Sequence, residues 1–143
     1  MSINFKEMAE IAKIRHTKDP QKLTEVLKKQ RGKNNPISQW AVSNSNCPPE
    51  MLAEVLRKGK NNLVSRYAAR NKNCPKEILV EILRKEKDND VSINAAWNPN
   101  CPPEVKIKWM QITGKIGKED PKKHIIEYEK IKEDDFQDLK DLL

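Results

Sequence analysis

The chain is 143 residues long, 36% apolar and 34% charged, with a formal net charge of +7. That is one domain's length and too polar for a conventional compact core, which favours small units that each bury a face only against their neighbours. No apolar run approaches the ~18 residues a membrane span needs, and Met1-Ser2-Ile3-Asn4-Phe5-Lys6 is followed by no long apolar stretch, so the expectation is a cytoplasmic protein with no secretory signal and no membrane partner.

The charge is uneven. Residues 1–118 hold 23 Lys/Arg against 12 Asp/Glu, a net of +11, whereas residues 119–143 hold 5 against 9, a net of −4. A basic body with an acidic tail points to an acidic partner, or to a tail folded onto the body. Lysines spread for solubility account for the same numbers.

In chain order, residues 5–15 suit a first helix. Asp19-Pro20-Gln21-Lys22-Leu23-Thr24-Glu25-Val26-Leu27 matches a later helix at an offset of 29. Residues 5–34 therefore read as a partial unit, with two extra residues near Gln30-Arg31. From there Asn-x-Asn-Cys-Pro-x-Glu occurs three times, placing Cys47, Cys74 and Cys101 at intervals of 27. So regular a period means an array of one small unit, here residues 35–61, 62–88 and 89–115.

The first half of each unit carries the columns Ile37/Val64/Val91, Ala41/Ala68/Ala95 and Val42/Ala69/Ala96. Apolar residues at i, i+4 and i+5 predict one face of a short helix. Asn44, Asn71 and Asn98 would close it in the left-handed conformation. Pro48, Pro75 and Pro102 suit the first position of a second helix, with Glu50, Glu77 and Glu104 three residues past the cap. Met51/Ile78/Val105, Val55/Ile82/Trp109 and Leu56/Leu83/Met110 then make its buried stripe, joined by Leu52 and Leu79. Glu54→Lys58 and Glu81→Lys85 are spaced as i, i+4 pairs. In the third unit Lys106 replaces an apolar residue and Ile112 a lysine, as suits a terminal unit that meets water. Within 119–143, Asp120-Pro121 predicts a helix start. Ile125, Ile126, Tyr128 and Ile131 then suit one amphipathic helix, and Phe136, Leu139, Leu142 and Leu143 another. Together these make an acidic cap on the array.

The stretch Val64-Ser65-Arg66-Tyr67-Ala68-Ala69-Arg70-Asn71-Lys72-Asn73-Cys74-Pro75-Lys76-Glu77-Ile78-Leu79 resembles the leucine-rich repeat variant family. The likeness covers roughly residues 37–112, and 11–34 more loosely. It implies an all-α fold, a right-handed α-α superhelix (solenoid) of short helical hairpins related to HEAT and armadillo arrays, and no common enzymatic activity. This chain departs from the family in its longer repeat and in cysteine where Thr or Ser is usual. The iron–sulfur cysteine cluster of some members has no counterpart, so no cofactor is carried over.

Cys47, Cys74 and Cys101 read as small, half-buried residues at a helix cap, with a reactive thiol as the minor alternative. Equivalent positions in stacked helices lie ~10 Å apart, too far for a shared zinc ion with sulfurs ~2.3 Å away or for a disulfide. No metal is expected. His16 and His124 lack partners at catalytic spacing, Asp134-Asp135 suit a solvated helix start, and the four glycines are scattered, so the chain reads as a non-enzyme. Asn44, Asn71 and Asn98, with Asn46, Asn73 and Asn100, read as structural ladders between units.

Two candidate binding surfaces recur in register. One is a basic stripe: Lys28, Lys29, Arg31 and Lys33, then Arg57, Lys58 and Lys60, then Arg84, Lys85 and Lys87. It suits a phosphate backbone, or merely solvated helix C-termini. The other is the variable set on the first helices: Gln39/Arg66/Ile93, Trp40/Tyr67/Asn94 and Ser43/Arg70/Trp97. Of these, Trp40, Arg66, Tyr67, Arg70 and Trp97 are residue types enriched at binding hot spots, although Trp40 and Tyr67 also suit core filling. Trp109 suits the core. The first functional expectation is a protein–protein scaffold or adaptor. The alternative is a DNA- or RNA-binding module using the stripe.

Overall fold

The computed structural model describes residues 4–117, and all regular structure among them is helical. Eight helices follow one another: α1 (Phe5–His16), α2 (Pro20–Gln30), α3 (Pro36–Ser43), α4 (Pro49–Arg57), α5 (Leu63–Arg70), α6 (Lys76–Arg84), α7 (Asp90–Ala96) and α8 (Pro103–Ile112). The capping helices expected in 119–143 lie outside the described residues.

Asparagine opens the first helix of each full unit. Asn35, Asn62 and Asn89 cap α3, α5 and α7, and their Oδ1 atoms accept the N–H of Ser38, Ser65 and Ser92 at 2.9, 3.0 and 2.9 Å. This settles one of the donors a helix start leaves unpaired. The small buried serines then let the chain pass close to its neighbours.

The far ends of α3 and α5 differ from the sequence expectation. Asn44 and Asn71 have φ/ψ of −69/130 and −64/132, extended rather than left-handed. Left-handed backbone falls instead after the second helices, at Arg31 (φ 51), Gly32 (φ 76), Gly59 (φ 69), Glu86 (φ 59) and Gly114 (φ 78). The reason is a tertiary partner. Asn71 Nδ2 donates to the carbonyls of Val42 and Asn44 at 2.8 and 2.9 Å, and its Oδ1 accepts the Asn73 N–H at 2.9 Å. Asn98 repeats this on Ala69, Asn71 and Asn100, and Asn44 on Ile14, Thr17 and Asn46. Asn73 and Asn100 add a parallel rung, donating to Ser45 and Cys47 and to Lys72 and Cys74. Local left-handed closure would leave those carbonyls of the preceding unit without a donor. Each bond is worth roughly 1 kcal/mol net, and an orphaned buried carbonyl costs about 1–3 kcal/mol.

The prolines also shift by one position. Pro48, Pro75 and Pro102 are the N-caps of α4, α6 and α8, with Pro49, Lys76 and Pro103 opening the helices. Glu50, Glu77 and Glu104 thus fall at the second helical position. A proline cap has no N–H for a glutamate to reach back to, so these carboxylates act only on the helix dipole.

The first unit keeps the period by compensation. Thr17 closes α1, 27 residues before Asn44, but Asp19 caps α2 only two residues later, 29 before Pro48. The missing turn residues return at the end of α2, which runs on to Gln30 and closes through Arg31.

Packing joins units in order. The odd helices touch in succession, α1 to α3, α3 to α5 and α5 to α7; α2, α4 and α6 each lean on the next odd helix; α4 meets α6, and α6 meets α8. Ala41, Ala68 and Ala95 are fully buried between the odd helices, as are Leu23, Leu52 and Leu79 along the even ones. Alanine permits close approach, and the leucines bury large apolar side chains. Lys106 takes the next place in the leucine column and is itself buried. Glu81 does not pair with Lys85. It faces Arg57 of the preceding unit at 4.0 Å, and among the described residues no ion pair joins Glu54 to Lys58.

Candidate functional site

The variable positions of the first helices lie on the row formed by α3, α5 and α7. Trp40 is 39% exposed and Trp97 59%, while Tyr67 is half-buried against the core. Trp40 thus projects from the row, and Tyr67 belongs partly to the packing. Each exposed indole carries a cation. The Arg15 guanidinium lies 4.3 Å from the Trp40 ring centroid and the Lys106 ammonium 3.5 Å from that of Trp97. Such stacking holds a large aromatic ring in one orientation. Neither partner was legible in the sequence, because Arg15 comes from α1 and Lys106 from α8. Between them, Ser43, Tyr67, Arg70 and Asn71 line an open cleft of about 300 Å³. Arg70 is exposed there, whereas Arg66 holds Asp90 of the next unit at 3.0 Å. Of the five residues singled out, Tyr67 and Arg70 therefore share a cleft, Trp40 and Trp97 stand apart from it on the same row, and Arg66 is engaged between units.

The basic stripe falls at the ends of α2, α4 and α6 and in the loops beyond them. Lys28, Arg31, Lys33, Arg57, Lys58, Lys60, Arg84, Lys85 and Lys87 are all exposed. These cations favour the negative helix ends. A helix of eight residues is ~12 Å long, and the stripe sits at the opposite ends of the first helices from Ser43 and Arg70.

The thiols are chemically quiet. Cys47 and Cys74 are fully buried and Cys101 nearly so. Burial pushes Cys47 and Cys74 up to about 12 and Cys101 up to about 11, where the nearby Lys106 charge pulls the other way. A thiolate is the nucleophile and the metal ligand, so this column serves packing. Among the described residues no group of three or more His, Cys, Asp or Glu side chains is placed to hold a metal ion. His16 is exposed at the end of α1, and His124 lies outside the described residues. A further cleft of about 220 Å³ between α6 and α8 has mixed walls, Arg84 and Lys108 against Glu86 and Glu104. No helix among the described residues is long and apolar enough to cross a membrane. Compared with protein-family models, with curated proteins and with solved structures, the chain matches none.

Proposed function

We propose that the chain is a non-enzymatic helical-repeat module, a protein–protein scaffold or adaptor that takes its partner on the row of first helices. The proposal includes the leucine-rich repeat variant likeness and the right-handed superhelical course it implies. Repeat arrays present extended surfaces suited to this task. The observation that carries it is the pair of exposed, cation-stacked indoles, Trp40 and Trp97, on the same row of helices as the Tyr67–Arg70 cleft. Large aromatics held in a fixed orientation bind at low entropic cost and dominate interface energetics. The accompanying exposed cations, Arg15 and Arg70, favour a partner with acidic residues around an apolar anchor.

The test is affinity capture from nuclease-treated extract of the native host, comparing the wild-type chain with Trp40→Ala/Trp97→Ala. A protein partner should remain bound at moderate salt and fall by at least about tenfold on the double substitution, as removal of hot-spot aromatics does. If no protein distinguishes the two baits, the reading fails.

A further inference from the structure

The basic stripe is more ordered than a row of solvated lysines, and the 27-residue period shows how. In the units 35–61 and 62–88, Lys58 and Lys85 are the C-caps of α4 and α6. Each folds back along the array toward a left-handed glycine of the preceding loop. A Cβ on Gly32 would collide with the Lys58 ammonium, and one on Gly59 would stand 3.9 Å from that of Lys85. Gly32 thus leaves room for the Lys58 ammonium beside the backbone, while at Gly59 the Lys85 ammonium lies at ordinary contact distance. Lys85 in turn joins Lys60 and Lys87 around a small cleft of about 40 Å³, with Asn89 and Ser92 on its wall. Such a space has room for about one water or one phosphate oxygen.

Moving these three lysines back by one period gives Lys33, Lys58 and Lys60. The edge therefore carries two lysine trios, one per unit, that share Lys60. The pattern stops at the last unit, where Glu86 holds the left-handed position and Ile112 replaces the lysine.

Charge along the edge follows the same limits. Residues 28–35 hold four cations and residues 57–62 three, with no acid in either, whereas residues 84–90 hold three of each sign. Three acids near the edge face other cations: Glu81 faces Arg57 at 4.0 Å, Asp90 faces Arg66 at 3.0 Å and Asp88 faces Lys115 at 3.1 Å, whereas Glu86, between Lys85 and Lys87 in sequence, is exposed and joins none of these pairs. Among the described residues no ion pair joins an acid to Lys33, Lys58, Lys60, Lys85 or Lys87.

We propose that this edge binds the phosphodiester backbone of duplex nucleic acid, with Lys33/Lys58/Lys60 and Lys60/Lys85/Lys87 as two adjacent phosphate sites. The ligand class follows from three features. Point charges at a fixed spacing of about one helix diameter, ~10 Å, suit a polymer with regularly spaced charges. Neither loop, 28–35 or 57–62, contains an apolar side chain to insert into a bilayer, which a membrane-surface segment uses. Nor does either contain an aromatic residue on which an unpaired base could stack, so charge density decides, and the duplex offers more of it than a single strand. Recognition is of backbone and not of sequence. This surface is separate from the aromatic row and does not rest on the protein-partner reading.

The experiment is fluorescence anisotropy of the full chain with a labelled 20-base-pair duplex, the matching single strand, and phosphatidylserine vesicles. The duplex should bind more tightly than the strand. With two phosphates engaged, affinity should fall on the order of 10-fold between 50 and 200 mM salt. Lys60→Glu, which touches both sites, should weaken binding by about tenfold or more, and by more than Lys87→Glu, which touches one. Lys76→Glu makes the same change in net charge at the opposite end of α6 and should have under about a third of the Lys60→Glu effect, since a distant charge is screened beyond ~10 Å. Circular dichroism should show unchanged helix content in all three variants. Absence of duplex binding at 50 mM salt, equal losses from Lys60→Glu and Lys76→Glu, or binding to vesicles but not to duplex would each overturn the proposal.

Discussion

Asn71 uses its entire side-chain amide on the main chain, with both donor bonds reaching the preceding unit and its oxygen holding the turn of its own. The sequence identified this column as structural but misplaced its geometry, because the carbonyls it serves are 27 and 29 residues away and no local rule points to them. The cysteine column was easier to read. Its period separated the thiols, and burial then raised their pKa values to about 12, 12 and 11. The consequence for stability has a definite sign. In the unfolded chain a thiol ionises near its ordinary value of about 8.5, while the folded state keeps it protonated. Below that pH there is no penalty; as pH rises from there toward the folded values, the unfolded state gains ionisation free energy and stability falls. Urea midpoints measured at pH 8 and pH 10.5 should drop for the wild type, and Cys47→Ala/Cys74→Ala/Cys101→Ala should flatten most of the thiol contribution to that drop.

At the scale of elements, the second helices show what proline spacing reveals and what it hides. Pro48, Pro75 and Pro102 mark helix starts correctly to within a residue, since proline both fixes φ and removes a donor. Whether proline is cap or first residue depends on the turn before it, which the asparagine rungs hold in place. The caps Asn35, Asn62 and Asn89 went unread because they sit among other asparagines and lysines. The helix ends carry a testable strain. Glu86 occupies a left-handed φ of 59 where the equivalent residue of the preceding unit is Gly59 at 69. A side chain there costs roughly 1–2 kcal/mol, less the flexibility glycine adds to the unfolded chain. Glu86→Gly should therefore stabilise the protein by about 1 kcal/mol, read as an increased urea midpoint at unchanged slope.

At the scale of the whole molecule, the main helix contacts among the described residues run between neighbours, so the middle of the array is held from both sides and its first helix from one. α5 buries Val64, Ser65, Ala68 and Ala69, whereas α1 buries Ile14 alone and leaves Phe5 90% exposed. Native-state hydrogen exchange should find the amides of Ala68 and Ala69 slowest, and those at the middle of α1 faster by on the order of 100-fold or more. Uniform protection across the eight helices would contradict this gradient. Composition and period were enough to anticipate helical units and their order. They could not show that Trp40 and Trp97 each carry a cation from another helix, nor that Lys60 stands between two lysine sets, because both depend on which loops the packing brings side by side.

The asparagine rungs have one more implication. Their acceptors are main-chain carbonyls, present whatever side chains the neighbouring copy carries. A segment equal to residues 62–88 inserted after itself would find its docking groups already in place on both sides. Such a chain is free to lengthen or shorten by whole modules during evolution, altering its reach while the asparagine rungs recur at each seam.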